Sequence, residues 1–226
     1  RNLTGHASEQ KSRFSHLYAA SKDLLSMATW SGNGVNLRAI SLGLRPDLLI
    51  VRCTSTGAHS TVVDSLRGDT VSVRLNDNTA ESTTQNQVRS LEDDGFKVGT
   101  SNRTNAVGRD YIAYGFNAAG EGTVDNTLGD IHSTTDANEL KGFSVVTYTG
   151  TGSAGDLCAH GLRSAPQVIL TKRLDAVADW VVTGTEIGAN LRLKLNEADP
   201  VETFASCPVP GLTYIEMNSD TDFNAL

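Results

Sequence analysis

The chain has 226 residues, a net charge of -7 at neutral pH, and 38% hydrophobic against 20% charged residues. That balance argues against a sequence-independent grip on nucleic acid, which needs clustered Lys and Arg, and no apolar run is long enough to cross a bilayer. Plentiful Gly, Thr, Ser and Asn instead give the composition of short strands joined by many turns.

Residues 1–25 read as an arm or connector. Arg1, Lys11, Arg13 and Lys22 outnumber Glu9 and Asp23, and the spacing of Phe14, Leu17, Tyr18, Leu24 and Leu25 predicts a short helix from about Ser15 to Leu25. No signal-peptide pattern follows Arg1, which leaves a segment upstream open. A first unit is expected over 26–119. Met27-Ala28-Thr29-Trp30 reads as a strand, and Ser31-Gly32-Asn33-Gly34 is turn chemistry, since Gly and Asn tolerate positive φ. Leu37 to Leu42 reads as a half-buried strand, and Leu48 to Arg52 is an apolar run too short for a helix, hence a central strand. Thr61-Val62-Val63 follows. In Asp64-Ser65-Leu66-Arg67-Gly68 the Asp can cap backbone N–H groups while Arg67 answers its charge. Val71 to Leu75 alternates with period two, the cleanest strand signal in the chain. Val88 to Leu91 and Phe96-Lys97-Val98 flank a tight turn at Glu92-Asp93-Asp94-Gly95, and Tyr111 to Phe116 closes the unit with Tyr111, Ala113 and Gly115 on one face.

Residues 120–141, rich in Gly, Thr, Asn and Asp, read as a linker, and 142–226 as a second unit. Thr147-Tyr148-Thr149-Gly150-Thr151-Gly152 repeats Thr29-Trp30-Ser31-Gly32-Asn33-Gly34, residue 147 lying 118 beyond residue 29. Gly161-Leu162-Arg163 repeats Gly43-Leu44-Arg45 at the same offset, and Lys194-Leu195-Asn196-Glu197 repeats Arg74-Leu75-Asn76-Asp77 at an offset of 120. Segments matched in one order imply a tandem duplication of a unit of about a hundred residues. No counterpart of the Tyr111–Phe116 strand is evident, so the second unit is either shorter or continues past Leu226. The expected fold is all-β: two tandem β-sandwiches, jelly-roll or lectin-like, with a single larger sandwich built from both copies as the alternative.

Each motif that could carry chemistry also has a structural reading. Gly150-Thr151-Gly152-Ser153-Ala154-Gly155 matches a dinucleotide fingerprint, but Gly161 and Pro166 leave no room for the helix that must receive the pyrophosphate, so a hairpin turn is expected. Ser8-x-x-Lys11 resembles a fragment of a serine–lysine pair without partner motifs. His59, Ser60 and Asp64 can be drawn as a triad, although sequence proximity does not supply the geometry. His6, His16, His59, His132 and His160 show no metal-ligand spacing, and His160 stands where Leu42 stands in the first unit, a structural position. Glu92-Asp93-Asp94 and Asp220-x-Asp222 are candidate Ca²⁺ loops or simply solvated turns. Cys53, Cys158 and Cys207 form no C-x-x-C pair and read as reduced, partly buried thiols. Trp30, Trp180, Tyr111 and Tyr114 are candidates for sugar stacking, against which stands packing in the core or at its rim. No residue is thereby assigned to catalysis, to a cofactor or to a metal.

Trp30-Ser31-Gly32-Asn33-Gly34, Leu42 to Leu48, Asp64 to Gly68, Glu92 to Phe96, Tyr111 to Tyr114, and Gly142 to Gly152 followed by His160-Gly161-Leu162 and Pro166 together resemble a repeat of tailed-bacteriophage virion structural and tail-fibre proteins, especially those of marine cyanophages. The resemblance covers roughly residues 26–200 and carries no catalytic residues. It implies a non-enzymatic virion component of tail fibre, appendage, or head fibre or decoration. Its partners would be other virion proteins and copies of itself, with host surface glycan as a further partner and neither nucleic acid nor membrane insertion. A lectin-like glycan-binding module is the alternative, and a glycan depolymerase, which needs a carboxylate pair across a groove, ranks below both.

Overall fold

The computed structural model describes residues 24–83, 86–118 and 123–225, all of it strands, turns and loops. The arm and most of its expected helix lie outside the described residues. Leu25, the last residue of that helix, instead opens a strand.

The first unit contains β1 (Leu25–Ser31), β2 (Arg38–Ser41), β3 (Leu48–Cys53), β4 (Thr61–Asp64), β5 (Val71–Ser72), β6 (Ser82–Thr83), β7 (Val88–Glu92), β8 (Gly95–Val98) and β9 (Asp110–Phe116). One antiparallel sheet runs β1-β9-β3-β4 and a second runs β2-β8-β7. Strand alternation explains how they meet. Trp30, Leu49, Val51, Val63, Tyr111 and Ala113 point inward from the first sheet onto Ile40, Val88, Phe96 and Val98 of the second. Trp30 stacks on Tyr111 at 5.5 Å between ring centroids and meets Phe96 edge-on at 5.7 Å. Each fully buried Leu or Val contributes about 1.5–3 kcal/mol, so this seam is the main cohesive term of the unit. The predicted strand at Val71–Leu75 is shorter than its pattern. Beyond Ser72 only Val73 pairs, with Val62, because the N–H of Leu75 turns to the Oγ of Ser60. The Asp64 turn forms as its residue types require: Oδ1 accepts the N–H groups of Leu66 and Arg67, and Nε of Arg67 reaches Oδ2 at 2.6 Å.

The remaining strands are β10 (Thr123–Asn126), β11 (Ser133–Asn138), β12 (Phe143–Tyr148), β13 (Leu157–Ala159), β14 (Ile169–Lys172), β15 (Trp180–Thr183), β16 (Leu191–Lys194), β17 (Glu202–Thr203), β18 (Val209–Pro210) and β19 (Tyr214–Glu216). They form antiparallel sheets β10-β11-β12, β13-β19-β18 and β14-β15-β16-β17. The stretch that reads as a linker therefore holds two strands. The first, β10, has no buried position, and the inward positions of β11 are Ser133 and Thr135, buried but polar, with the Oγ of Ser133 bonded to the carbonyl of Ala159. A hydrophobic pattern cannot reveal a strand whose core face is made of hydroxyls. Pairings recur along the chain: Val62↔Val73 and Val71↔Thr83 stand 120 residues before Val182↔Leu193 and Leu191↔Thr203. Beside β12, however, the place that β9 takes beside β1 goes to β11: Ser26 faces Gly115, and Ser144, 118 residues on, faces Ala137. The two units touch through Trp180, which packs with Val62 and Val73 on the outward side of the first sheet and donates Nε1–H to the carbonyl of Arg74 at 2.6 Å.

Strands β1 and β2 lie in different sheets, so the loop between them crosses the edge of the sandwich and must satisfy its own backbone. Asn105, wholly buried, does this. Its Nδ2 donates to Asn33 Oδ1 at 3.2 Å, Val35 O at 2.9 Å and Gly99 O at 3.2 Å, and its Oδ1 accepts the N–H of Asn33. Asn224, also wholly buried, repeats the arrangement: Oδ1 accepts the N–H of Thr151 at 2.7 Å and Nδ2 donates to Ser153 O at 2.8 Å. The loop at Gly150–Gly155 is thus a crossover between β12 and β13, in separate sheets, and not the expected hairpin. Gly32 and Gly150 are required here, since a Cβ would sit 2.0 Å from Ala106 O and 2.1 Å from Ala225 O respectively. Replacing Asn105 by Ala strands the buried carbonyl of Gly99, frees the loop at Asn33 and Val35 and leaves a void, and should cost about 2–4 kcal/mol. Urea unfolding followed by tryptophan fluorescence measures the loss, and Asn33→Ala, at the exposed end of the same clamp, should cost less.

Candidate functional site

Inward-facing residues on β3 and β9 leave their neighbours facing out. Ile50 and Tyr114, paired across the two strands, lie on the outward side of the first sheet with Arg52. Leu195, which follows β16, closes over them from the second unit, and Ser60, Leu75 and Asn76 complete a pocket of about 300 Å³. Its lining is almost wholly apolar, although Arg52, Ser60 and Asn76 are among its residues. Such a lining can stack a ring and bond its edge, but it holds no nucleophile with a base.

A charged group borders this pocket. Ser60 bonds Oδ1 of Asn76 through both its N–H and its Oγ. Next to it, Asp77 accepts Nη1 of Arg74 at 2.7 Å and lies 3.1 Å from Nδ1 of His59. Burial alone would raise the pKa of Asp77, but hydrogen bonds from Arg74 and from the Oγ1 and N–H of Thr79 outweigh it and hold it at about 2.

The predicted chemical residues are distributed as follows. His59 turns to Asp77 and not to Asp64, Ser60 turns to Asn76, and Asp64 is spent on its own turn and Arg67, so no triad exists. Ser8 and Lys11 lie outside the described residues. Glu92 bonds Ser90 and Lys97, Asp94 accepts the Oγ of Ser41, and Asp220 caps the N–H of Asp222, so these acids serve turns. Among the described residues, no group of three or more His, Cys, Asp or Glu is arranged to hold a metal ion. Trp30, Trp180 and Tyr111 are buried, and of the four aromatic candidates only Tyr114 lines the pocket. His160, 3% exposed, accepts the N–H of Leu162 and faces Gly211 O, and burial lowers its pKa, a core histidine in the place of Leu42. Cys53, Cys158 and Cys207 are free and buried, and burial pushes the thiol of Cys158 up to about 11.

Sequence reasoning missed Arg52 and Asn76 as pocket residues. The available signal was the outward phase of Leu48–Arg52, but the wall at Leu195 depends on how the second unit packs. It also missed a buried carboxylate pair. Asp47, 1% exposed, binds Nη1 of Arg45 at 2.7 Å and the N–H of Ala118 at 2.8 Å, and Asp136, 4% exposed, accepts the Oγ of Ser65. Burial first, and then the charge of Asp136, raise the pKa of Asp47.

The chain belongs to a family described as a domain of unknown function (DUF7483), whose model matches residues 20–215. No curated protein and no solved structure matches it.

The depressed pKa of Asp77 has a consequence for stability. A carboxylate whose folded pKa lies below its ordinary 3.8 stabilises the fold above that value and loses its contribution as pH falls through about 2. Allowing for solvent screening, Asp77→Asn should cost on the order of 1 kcal/mol at pH 7. The difference from wild type should shrink across the window between 3.8 and about 2 and vanish below it, as read from urea midpoints measured against pH.

Proposed function

We propose that this chain is a non-enzymatic structural protein of a bacteriophage virion, a component of a tail fibre or appendage, or of a head fibre or decoration. The observation that carries the reading is the reuse of one framework. The buried asparagine clamp at Asn105 and Asn224 and the strand pairings 120 residues apart preserve a shape, while the residues available for chemistry are spent on turns and cores. The resemblance of residues 26–200 to phage virion repeats points the same way, and so does the net charge of -7, which suits display in solution better than a grip on nucleic acid. Its partners on this reading are neighbouring virion proteins and further copies of itself, in the symmetric arrangement usual for such components.

A second reading, a glycan-binding module directed at host surface sugars, rests on the pocket beside Tyr114. An aromatic side chain in an apolar pocket offers a stacking surface for the face of a sugar ring. The buried pair Asp47 and Asp136 gives little support to a depolymerase, because at 1% and 4% exposure neither carboxyl opens onto a groove that could hold a glycan.

Electron microscopy of intact particles with an antibody raised against the folded chain decides between these roles. Regular label on tail appendages or on the head is the expected result, and an unlabelled particle whose other components stain well would overturn the virion reading. For the glycan reading, binding to immobilised host polysaccharide should fall roughly tenfold in Tyr114→Ala, the loss of a stacking contact of about 1–1.5 kcal/mol, with the melting temperature preserved.

A further inference from the structure

At the seam between the units an amine meets an amide. Nζ of Lys141, in the turn between β11 and β12, donates to Oδ1 of Asn117 at 2.6 Å, and Nδ2 of Asn117 donates to the carbonyl of Arg45 at 2.7 Å. Asn117 is buried and directly follows β9. The β3–β9 register ends where Leu48 pairs with Phe116, which brings Asp47, one residue before Leu48, to the end of β9 at which Asn117 lies. Two bonds fix this arrangement: Asp47 donates its N–H to Phe116 O and accepts the N–H of Ala118 on Oδ2, one on each side of Asn117 in the chain. Phe116 stacks on Phe143 at 5.5 Å, which holds the flanking segments together. An amine and a carboxamide are thus in contact, and a buried carboxyl is bonded to the residue that follows the carboxamide in the chain. The charges that act on Asp47 are those of Asp136, Arg45 and Lys141, of which Arg45 is in direct contact.

We infer that Lys141 and Asn117 are the partners of an intramolecular isopeptide bond, with Asp47 as the proton carrier. The Asp47 carboxylate takes one proton from the Lys141 ammonium. The freed amine attacks Cγ of Asn117, forming the Nζ–Cγ bond. The attacking nitrogen passes a second proton to Nδ2, the Cγ–Nδ2 bond breaks, and ammonia departs. Asp47 returns its proton to the ammonia, which leaves as ammonium, and no oxidant or reductant takes part. Contact between the reacting groups makes the step unimolecular, and a buried carboxyl with raised proton affinity suits the proton transfers. The product would tie the end of β9 to the turn before β12 and so join the two units covalently.

The test is the intact mass of the purified chain, followed by peptide mapping. The expected result is a mass lower than that of the sequence by one ammonia, with Asn117 and Lys141 recovered in one branched peptide. A full mass, with both residues in ordinary linear peptides, would overturn the inference. Lys141→Arg keeps the charge and should restore the full mass. An ammonia deficit that persists in this variant would place the loss elsewhere, for instance in a succinimide at Asn33-Gly34, and would equally overturn it. Asp47→Asn, checked for a folded far-UV spectrum and a cooperative melt, should retain its ammonia. A folded variant that still forms the branched peptide would remove Asp47 from the reaction, and if this variant does not fold, the wild-type peptide map alone decides the bond.

Discussion

The architecture depends on a polar constraint inside an apolar sandwich. A chain that crosses from one sheet to the other exposes backbone N–H and C=O groups at the edge of the core, where water is excluded and an unpaired group is costly. Asn105 resolves this with a single side chain, since a carboxamide offers two donors and an acceptor with two lone pairs. It anchors the loop between β1 and β2 to the loop before β9, and that second loop in turn accepts Nε1–H of Trp30 through the carbonyl of Thr104. The tryptophan at the centre of the core is therefore oriented by the loop that the asparagine holds. Asn224 and Tyr148 stand in the same relation, with the Tyr148 hydroxyl on the carbonyl of Phe223.

From this constraint the differences between the halves follow. Both keep the clamp and the three-stranded second sheet, as β2-β8-β7 and β13-β19-β18. The first unit completes its main sheet with β9, which comes last, and packs it with Tyr111 and Ala113. In the second, β11 comes first and brings Ser133 and Thr135 to the same inward positions. With β10 beside β11, the sheet β14-β15-β16-β17 pairs with neither. Trp180 then turns to the outward side of the first unit, where it covers Val62 and Val73. The pocket beside Tyr114 and the polar seam at Asp47, Asn117 and Lys141 are both products of this junction.

Some charged side chains lie in short local pairs such as Arg67 with Asp64 and Arg74 with Asp77, which fix turns, and others such as Arg192 with Asp222 and Lys194 with Asp179 join segments farther apart in the chain, each adding little cohesion. Cohesion comes from the sandwich cores and from the contact between units. A recognition surface, if one is used, lies where outward aromatic and arginine side chains escape the contact of Trp180, and a covalent tie at the seam would protect the weakest joint.

Local chemistry was legible in the residues themselves. The Asp64 turn, the hairpin at Glu92–Gly95, the core role of Trp30 and the place of His160 follow from side-chain type and spacing, because each depends on neighbours close in the chain or on strand alternation. The all-β class was legible for the same reason. Strands β10 and β11 were not, since Ser and Thr on the core face look like a linker until the partner that receives their hydroxyls is known. The pocket and the seam were also hidden. Tyr114, Arg52 and Leu195, like Asp47, Asn117 and Lys141, are distant in the chain, and only the register of β3 on β9 and the packing of the second unit on the first bring them together. Periodicity determined which elements form and which face turns inward. Their mutual placement was decided by tertiary structure, because it depends on which strand fills the open edge of each sheet, a competition among distant segments that no local pattern records.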